Sequence, residues 1–402
     1  MKTPPPAAAS RPPGLASIPP RERSAQAGPV PSRENAARLR AEDPAYRVEV
    51  ERRRGRGASA NPGGRYEGVQ RESFDDGWDL DDALPPFETE IIVERARTII
   101  TKNDSPDIGF DRSINPYRGC EHGCSYCFAR PTHAFQGLSP GLDFETKIFA
   151  KTNAAELLAK ELRAAAYEPK PIALGANTDP YQPVERRLRL TRGILEVLQR
   201  ANHPVGIVTK SALVTRDIDI LAPMAAHRLA KVAISVTTLD PKLSRRMEPR
   251  APTPTRRLDA IRQLTEAGIP VTVLVAPIVP AVNEHELEAI LQACRDAGAT
   301  AAGYVLLRLP HELKDLMRDW LNEHYPGKLK HVFSVLQETR GGKDYDAAWG
   351  LRQTGVGPYA WMLGRRFEKA AERLGLNRRG RWTLRTDLFT PPAKETGQLS
   401  LF

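Results

Sequence analysis

Three cysteines lie within eight positions of the stretch NPYRGCEHGCSYCFARP, residues 115–131. Cys120, Cys124 and Cys127 follow the spacing C-x3-C-x2-C, and Cys294 is the one remaining cysteine of the four in the 402-residue chain. So few thiols, most of them clustered, argue against disulfides and for metal binding or catalysis. The two chemistries to weigh are a zinc site and an iron–sulfur cluster.

A structural zinc ion normally takes four protein ligands. Only three cysteines converge here, so His122 or His133 would have to complete the site. Cys294 is a poor fourth ligand, because it continues an apolar stripe that begins at Leu287 with the i, i+3, i+4, i+7 spacing of a helix face. We expect Cys294 to be a buried core residue, and zinc remains the alternative.

An iron–sulfur cluster can be held by three thiolates, with the fourth iron open to a ligand that is not protein. The amino and carboxylate groups of S-adenosylmethionine can occupy that iron, and an electron passed to the sulfonium then yields an adenosyl radical. The C-x3-C-x2-C spacing, with the aromatic Tyr126 just before the last cysteine, is typical of this chemistry. The pattern therefore favours a [4Fe–4S] cluster.

The elements around the cysteines alternate between apolar strands and amphipathic helices from about residue 100. The strands are near-continuous apolar runs, which are typical of a parallel sheet covered on both faces: PIALGA (171–176), PVGIVTK (204–210), KVAISVTTL (231–239), IPVTVLVAPIVP (269–280) and AAGYVLLRLP (301–310). A short strand before the cysteines makes six βα units. We predict an α/β fold with an open, partial (β/α)6 TIM-like barrel over residues 100–345, or alternatively a doubly wound sheet.

Either architecture places the active site at the carboxyl ends of the strands, and the cysteine loop follows the first strand. Residues 1–85 are rich in proline and charge and are predicted to be a mostly disordered arm. No apolar run is long enough to span a bilayer, and the beginning of the sequence lacks the apolar segment of a secretory signal. We expect a cytoplasmic protein without a membrane partner.

The carboxyl-terminal region carries much of the positive charge. Residues 351–402 hold ten basic and four acidic side chains, a net charge of +6 within the +10 of the whole chain. We predict a basic helical extension over residues 346–390, compatible either with DNA binding or with an ordinary solvated surface. Aromatic residues punctuate it, and we expect them to close the open edge of the barrel: Trp349, Tyr359, Trp361, Phe367 and Trp382.

Residues of about 105–340 resemble the radical SAM superfamily, and specifically its branch related to spore photoproduct lyase. The likeness is carried by INPYRGCEHGCSYCFAR, NTDPYQPVE, IVTKS, ISVTTLD with RRMEPRAPTP, and VLVAPIVPAVN. The resemblance implies a [4Fe–4S] cluster, S-adenosylmethionine as cofactor or cosubstrate and an electron donor protein. It also implies a lyase-like enzyme whose candidate substrate is damaged DNA.

Matched one residue at a time, the resemblance implies that the three clustered cysteines are the cluster ligands. It implies that Tyr126 contacts the adenosyl group and that Lys210 pairs with the carboxylate of S-adenosylmethionine. Asp179 matches a polar residue near the cofactor, and Ser235 matches a small hydroxyl that faces the same pocket. Asp179, Lys210 and Ser235 also lie near the ends of apolar runs, where a barrel places its ligand.

The sequence departs from the family at one position with chemical meaning. Spore photoproduct lyase uses a further cysteine as hydrogen-atom donor, and Ala176 and Asn177 occupy the corresponding stretch, ALGANTDP. Tyr181 or Tyr304 could relay a hydrogen atom instead. The alternatives are therefore a radical SAM enzyme that acts on RNA, peptide or a small molecule, and a non-catalytic metal-binding scaffold for DNA repair.

The last five residues form a separate motif on a predicted flexible tail, residues 391–402. The string QLSLF resembles the peptide with which bacterial polymerases and repair proteins bind the sliding clamp, although so short a motif also arises by chance. The residues that would bind the clamp are Gln398, Leu399, Ser400, Leu401 and Phe402. The alternative is a tail that folds back on its own domain.

Overall fold

Six parallel strands form the centre of the fold in the computed structural model, which describes residues 48, 52–66, 86–378 and 383–393. The QLSLF peptide, Trp382 and most of the predicted arm lie outside these residues, so the expectations about them stay predictions. All the described residues belong to one compact unit, Pro44–Phe402.

The strands of the described residues are β1 (Glu90–Glu94), β2 (Thr101–Lys102), β3 (Arg112–Ile114), β4 (Tyr117–Arg118), β5 (Lys147–Lys151), β6 (Ile172–Leu174), β7 (Val205–Thr209), β8 (Ala230–Ser235), β9 (Val271–Ile278) and β10 (Ala301–Leu306). Their α-helices are α1 (Asp143–Thr146), α2 (Ala154–Leu162), α3 (Glu185–Leu188), α4 (Leu190–Arg200), α5 (Ile218–Ala226), α6 (Pro241–Met247), α7 (Pro254–Glu266), α8 (Leu287–Asp296), α9 (Leu313–His324), α10 (Leu329–Glu338) and α11 (Gly357–Arg373). Short 3-10 turns lie at Arg130–Gln136, Ala212–Asp217, Glu284–Glu286 and Pro326–Lys328.

The main sheet has the strand order β10-β9-β8-β7-β6-β3-β2. Strands β3 and β6 to β10 pair in parallel, and β2 joins the edge antiparallel to β3. The predicted α/β fold with a partial (β/α)6 barrel is confirmed, and the short strand before the cysteines is β3. A second, small sheet of β1, β5 and β4 lies outside the predicted pattern.

Local sequence explains where the helices of the barrel begin and end. Helix α7 begins after Thr253, whose hydroxyl accepts a hydrogen bond from the Arg256 amide, and it is followed by Gly268 in a left-handed conformation. Helix α8 buries the predicted apolar stripe that ends in Cys294. Cys294 is therefore a core residue, as expected from its spacing.

The chain beyond the barrel covers the backbone of the last strand. The side-chain amide of Asn377 both donates to and accepts from the backbone of Ala302 in β10. The ring of Phe367 in α11 lies 4.9 Å from the ring of Tyr304, centroid to centroid. These contacts occupy an edge that would otherwise expose unpaired N–H and C=O groups. Trp349 and Trp361 remain exposed and take no part in this closure.

The last described segment, residues 383–393, crosses the amino-terminal side of the sheet. Its backbone amides at Arg385 and Thr390 donate to the carbonyls of Arg228 and Ala201, which precede β8 and β7. Phe389 packs beside His203, with 5.5 Å between the ring centroids. This segment therefore lies on the face opposite the carboxyl ends of the strands.

Residues 52–66 differ from the expectation of a mostly disordered arm. Ala58 and Ala60 are buried, and the Gly57 amide donates to the Glu145 carboxylate at 2.9 Å. The Arg56 guanidinium donates to the carbonyl of the same glutamate at 3.0 Å. The segment is held by polar contacts rather than by apolar burial, which is why its composition predicts disorder. It packs against the loop that carries the cysteines.

No helix in the described part of the chain is long and apolar enough to cross a membrane.

The close approach of Gly57 to the cysteine loop generates a stability prediction. A Cβ at Gly57 would lie 1.6 Å from the carbonyl oxygen of Gly123, so the two segments must separate. We expect Gly57→Ala to lower the free energy of unfolding by about 1–3 kcal/mol and to make residues 52–66 sensitive to limited proteolysis. Urea unfolding measures the first effect.

Gly109→Ala is the matched control, because a Cβ at Gly109 meets no atom within 4 Å. If both variants unfold at the same urea concentration, the close packing of residues 52–66 is wrong.

Candidate functional site

A cavity of about 460 Å³ opens at the carboxyl ends of the strands. The three clustered cysteines line it, together with residues from the ends of β6, β7, β8, β9 and β10. The four residues predicted to contact S-adenosylmethionine line the same cavity: Tyr126, Asp179, Lys210 and Ser235. The structure thus brings every predicted site residue to one place, and their roles as ligands stay predictions.

The cysteine loop has little regular structure, and its backbone is held by the rest of the barrel. Gln182 bridges two of its residues, accepting from the Glu121 amide at 2.9 Å and donating to the Gly119 carbonyl at 3.2 Å. The Cys120 amide donates to the Phe144 carbonyl at 2.9 Å. A loop whose polar groups are satisfied in this way keeps a single conformation.

Arg130 holds the loop from its far end. Its fully buried guanidinium donates to the Cys124 carbonyl at 2.8 Å and forms an ion pair with Glu145 at 2.5 Å. The turn between the cysteines requires Gly123, which has a φ of +67° and whose Cβ would lie 2.7 Å from the Glu145 carboxylate. Burial of the Arg130–Glu145 pair fixes the position of the loop.

The three thiols fit an iron–sulfur cluster better than a single metal ion. All three are free of disulfides, and burial raises the pKa of Cys124 to about 12 and that of Cys120 well above its usual range. Buried thiols of this kind ionise when a metal replaces their protons. No three His, Cys, Asp or Glu side chains of the described residues are placed to hold one ion, whereas a cluster binds each thiolate through a different iron.

Asp179 links the cysteine loop to the end of β7. Its carboxylate accepts from the Thr209 hydroxyl at 2.6 Å and from the Lys210 amide at 2.8 Å. The Nδ1 atom of His122 lies 3.4 Å from Oδ2, the oxygen that also accepts from the Lys210 amide. Although burial opposes ionisation, His122 and these donors lower the pKa of Asp179 to about 2. With both oxygens engaged by protein donors, Asp179 positions the site.

The ring of Tyr126 is fixed by a buried carboxylate that sequence reasoning missed. Its hydroxyl donates to Glu248, which also accepts from Thr237 at 2.7 Å and from the buried guanidinium of Arg257. Burial opposes the charge, but Arg257 and Lys210 lower the pKa of Glu248 to about 2. Arg257 also donates to the carbonyl of Ser235 at 3.1 Å. One ionised glutamate therefore ties the cysteine loop to the end of β8.

Lys210 contributes a positively charged ammonium group to the lining of the cavity. Its Nζ lies 5.6 Å from the centre of the Tyr126 ring, and no hydrogen bond to it is found among the described residues. Burial lowers the pKa of this ammonium, but Cys124 and Glu248 outweigh that effect and raise it. Lys210 is therefore a charged donor that faces a cavity large enough for a small ligand.

The mouth of the cavity combines an aromatic ring with arginine. Phe128 is 41% exposed, and the guanidinium of Arg308 lies over its ring, 5.0 Å from the centroid. Arg308 Nε is buried and has no hydrogen-bond partner among the described residues. Arg352 is held at the same rim by an ion pair with Asp107. A second nitrogen of the Arg308 guanidinium donates to the Tyr345 hydroxyl at 3.4 Å, so the mouth presents an exposed ring and a positive charge side by side.

The positions around Asn177 carry no thiol, as the sequence shows, and neither proposed tyrosine replaces it. Ala176 and Asn177 line the cavity, but Tyr181 and Tyr304 do not. The Tyr181 hydroxyl donates to Asp217 at 3.0 Å, away from the cavity. Neither tyrosine therefore lines this cavity, and a hydrogen relay through one of them stays a prediction.

The missed residues differ in how far sequence could have revealed them. Arg308 lies two residues beyond the end of β10, so the rule that a polar residue near a strand end faces the ligand would have found it. Glu248 and Arg257 lie within or just beyond RRMEPRAPTP, a stretch that supports the family resemblance without showing which residues meet. Nothing in the sequence indicates that Glu145 joins residues 56–58 to Arg130.

The comparisons with known proteins bear on this site directly. Residues 114–294 match the model of the radical SAM superfamily. An uncharacterized protein of Mycobacterium tuberculosis is 39% identical over 219 residues, 54% of this chain and 64% of that protein's length. An uncharacterized protein of Methanocaldococcus jannaschii is 29% identical over 198 residues, 49% of this chain and 71% of its own. The chain thus spans less than two thirds of the mycobacterial relative.

Solved structures show the same fold. A mutant of spore photoproduct lyase superposes with a TM-score of 0.51 at 19% identity, over 71% of this chain and 80% of that one. Spore photoproduct lyase complexed with dinucleoside spore photoproduct gives the same TM-score at 18% identity and the same coverage. Proteins of the radical SAM superfamily use a [4Fe–4S] cluster and S-adenosylmethionine. Residues 114–294 are therefore similar to the radical SAM superfamily, and the fold is similar to that of spore photoproduct lyase.

Proposed function

We propose that the protein is a radical SAM enzyme that cleaves S-adenosylmethionine reductively and acts on DNA as a lyase-like repair enzyme. The observation that carries the chemistry is the single cavity in which three free thiols and the unpartnered ammonium of Lys210 meet. Cys120, Cys124 and Cys127 would hold the cluster. When bound, the cluster would supply the electron that breaks a C–S bond of S-adenosylmethionine, giving methionine and a hydrogen-abstracting adenosyl radical.

The residues around the cavity divide the work of binding. Lys210 would pair with the carboxylate of S-adenosylmethionine as a charge-assisted donor. Tyr126, with its hydroxyl committed to Glu248, would present its ring to the adenosyl group, and Ser235 would add a hydroxyl to the same wall. Asp179 holds the Lys210 backbone in place. These side chains are ordered in the folded protein, so binding of a ligand does not have to offset the entropy lost in ordering them.

The proposed DNA substrate is supported by the mouth of the cavity. Phe128 offers an exposed ring on which a base can stack, and the Arg308 guanidinium places a positive charge beside it. Aromatic rings interleaved with arginine are the usual means of holding an unpaired base without reading its sequence. The net charge of +10 also favours a polyanionic substrate such as DNA.

A second candidate is a radical SAM enzyme that acts on RNA, a peptide or a small molecule. It is favoured by the cavity around Asn177, which lacks the thiol expected of a hydrogen donor. Anaerobic turnover separates the two candidates. Transfer of deuterium from labelled DNA into 5′-deoxyadenosine or S-adenosylmethionine supports a DNA substrate. Turnover that only other substrates stimulate contradicts a DNA substrate.

Removing one of the clustered thiols should abolish the cluster. We expect Cys124→Ala, reconstituted anaerobically, to fall well below the roughly four irons and four sulfides per chain of the intact protein and to lose reductive cleavage of S-adenosylmethionine. Iron and sulfide analysis and the release of 5′-deoxyadenosine measure the two effects. Cys294→Ala is the control, because Cys294 lies in the core of α8 and should leave both values unchanged. Stoichiometric zinc in the intact protein, with no cleavage of S-adenosylmethionine, would contradict the proposal that the protein is an enzyme.

Neutralising Lys210 should weaken the cofactor without removing the cluster. A charge-assisted hydrogen bond is worth about 1.5–3 kcal/mol, so Lys210→Met should raise the Kd for S-adenosylmethionine by about 10- to 100-fold with an unchanged iron content. Equilibrium dialysis measures the Kd. Lys170→Met is the control, since Lys170 lies on the surface in an ion pair with Asp111. An unchanged Kd in Lys210→Met would exclude the proposed role.

The stacked arginine at the mouth should contribute to DNA binding. We expect Arg308→Gln to reduce affinity for a single-stranded oligonucleotide by about tenfold and the salt dependence of binding by about one ion, with cleavage of S-adenosylmethionine intact. Fluorescence anisotropy over a salt series measures both. Arg385→Gln, on the opposite face and paired with Asp387, is the control. Equal losses in the two variants would mean that binding follows net charge and not the mouth.

A further inference from the structure

We propose that a second cavity, behind the cysteine loop, is a binding site for a phosphate group. It measures about 750 Å³ and lies between α3, the turn Ala212–Asp217 and the start of α7. Its wall includes His122, which also lines the first cavity. The two cavities therefore share one residue of the cysteine loop, and this second one has no part in the proposed chemistry.

The lining of the second cavity is rich in arginine, and two of the guanidiniums are uncommitted. Arg186 and Arg256 have exposed side chains, and no ion pair or side-chain hydrogen bond of either is found among the described residues. Arg216 is engaged by Glu185 and Asp217. Arginines that gather around one space repel each other unless an anion joins them.

Two hydroxyl groups add neutral donors to the same wall. Ser211 accepts from the Leu213 amide and Thr253 accepts from the Arg256 amide, and neither hydroxyl donates to an acceptor among the described residues. Each hydroxyl proton is thus available to a ligand. The cavity presents donors from several elements, as a tetrahedral anion requires.

The described lining holds four arginines and one carboxylate. The one carboxylate in the lining, Asp259, accepts from Arg262 at 2.8 Å. Arg250 also reaches Glu121 at 3.2 Å, and its amide donates to the His122 carbonyl. A bound phosphate would therefore meet an excess of positive charge, next to the backbone of the cysteine loop.

The phosphate could belong to a free nucleotide or to a nucleic-acid backbone, and binding assays distinguish the two sources. The full-length protein with its cluster is titrated separately with inorganic phosphate, thymidine 5′-monophosphate and a short single-stranded oligonucleotide, without S-adenosylmethionine. Because no turnover is measured, a failure here leaves the proposed radical chemistry untouched. Isothermal calorimetry and the shift in Tm report binding.

The double variant Arg186→Gln/Arg256→Gln should weaken binding at least tenfold and abolish the Tm shift. Arg187→Gln is the matched control, because Arg187 lies on the same helix as Arg186 but outside the lining, and it should bind as the intact protein does. If the double variant loses affinity for the monophosphate, the site binds a free nucleotide. If it loses affinity for the oligonucleotide alone, the site binds a nucleic-acid backbone. No binding of any probe, or equal loss in the control, would overturn the site.

Discussion

Three thiols on an irregular loop can share one cluster only if the loop is held rigidly. Three buried carboxylates hold this loop in place. Glu145 fixes Arg130, which binds the Cys124 carbonyl, Glu248 fixes Tyr126, and Asp179 meets His122. Desolvating a carboxylate is expensive, and a buried ion pair often adds little net stability. What it contributes is uniqueness, because each partner has only one position in which its charge is compensated.

These same carboxylates connect the loop to separate parts of the chain. Glu145 joins it to residues 56–58, Asp179 to the end of β7, and Glu248 to the segment after β8. A cysteine loop fastened to one strand alone would shift with that strand. Fastened to several, it keeps its position relative to Lys210 and Ser235, and the cavity is formed by the sheet as a whole. The parallel sheet brings these strand ends to one face.

The periodic part of the molecule could be predicted from sequence, and the part held by single polar contacts could not. The apolar runs predicted six parallel strands, and the polar residues near their ends, such as Asp179 and Lys210, predicted where the cavity lies. The order of residues 52–66 could not be predicted, because the segment is held by the Gly57 amide and the Arg56 guanidinium. Such contacts leave no hydropathy pattern in the sequence. Glu248 escaped because its partners are distant in sequence, and pairing of charges across a fold has no local signal.

The lining of the first cavity constrains how the proposed reaction can end. Once the three clustered thiols are cluster ligands, the described lining contains no other S–H group. The phenol of Tyr126 is committed to Glu248, and the aliphatic hydroxyls of Ser235 and Thr209 hold their hydrogen atoms too firmly to replace a thiol. The described lining of the cavity therefore holds no thiol that could return a hydrogen atom. In the proposed reaction, a hydrogen atom returned by 5′-deoxyadenosine would regenerate S-adenosylmethionine, and one from a donor outside this lining would leave S-adenosylmethionine consumed.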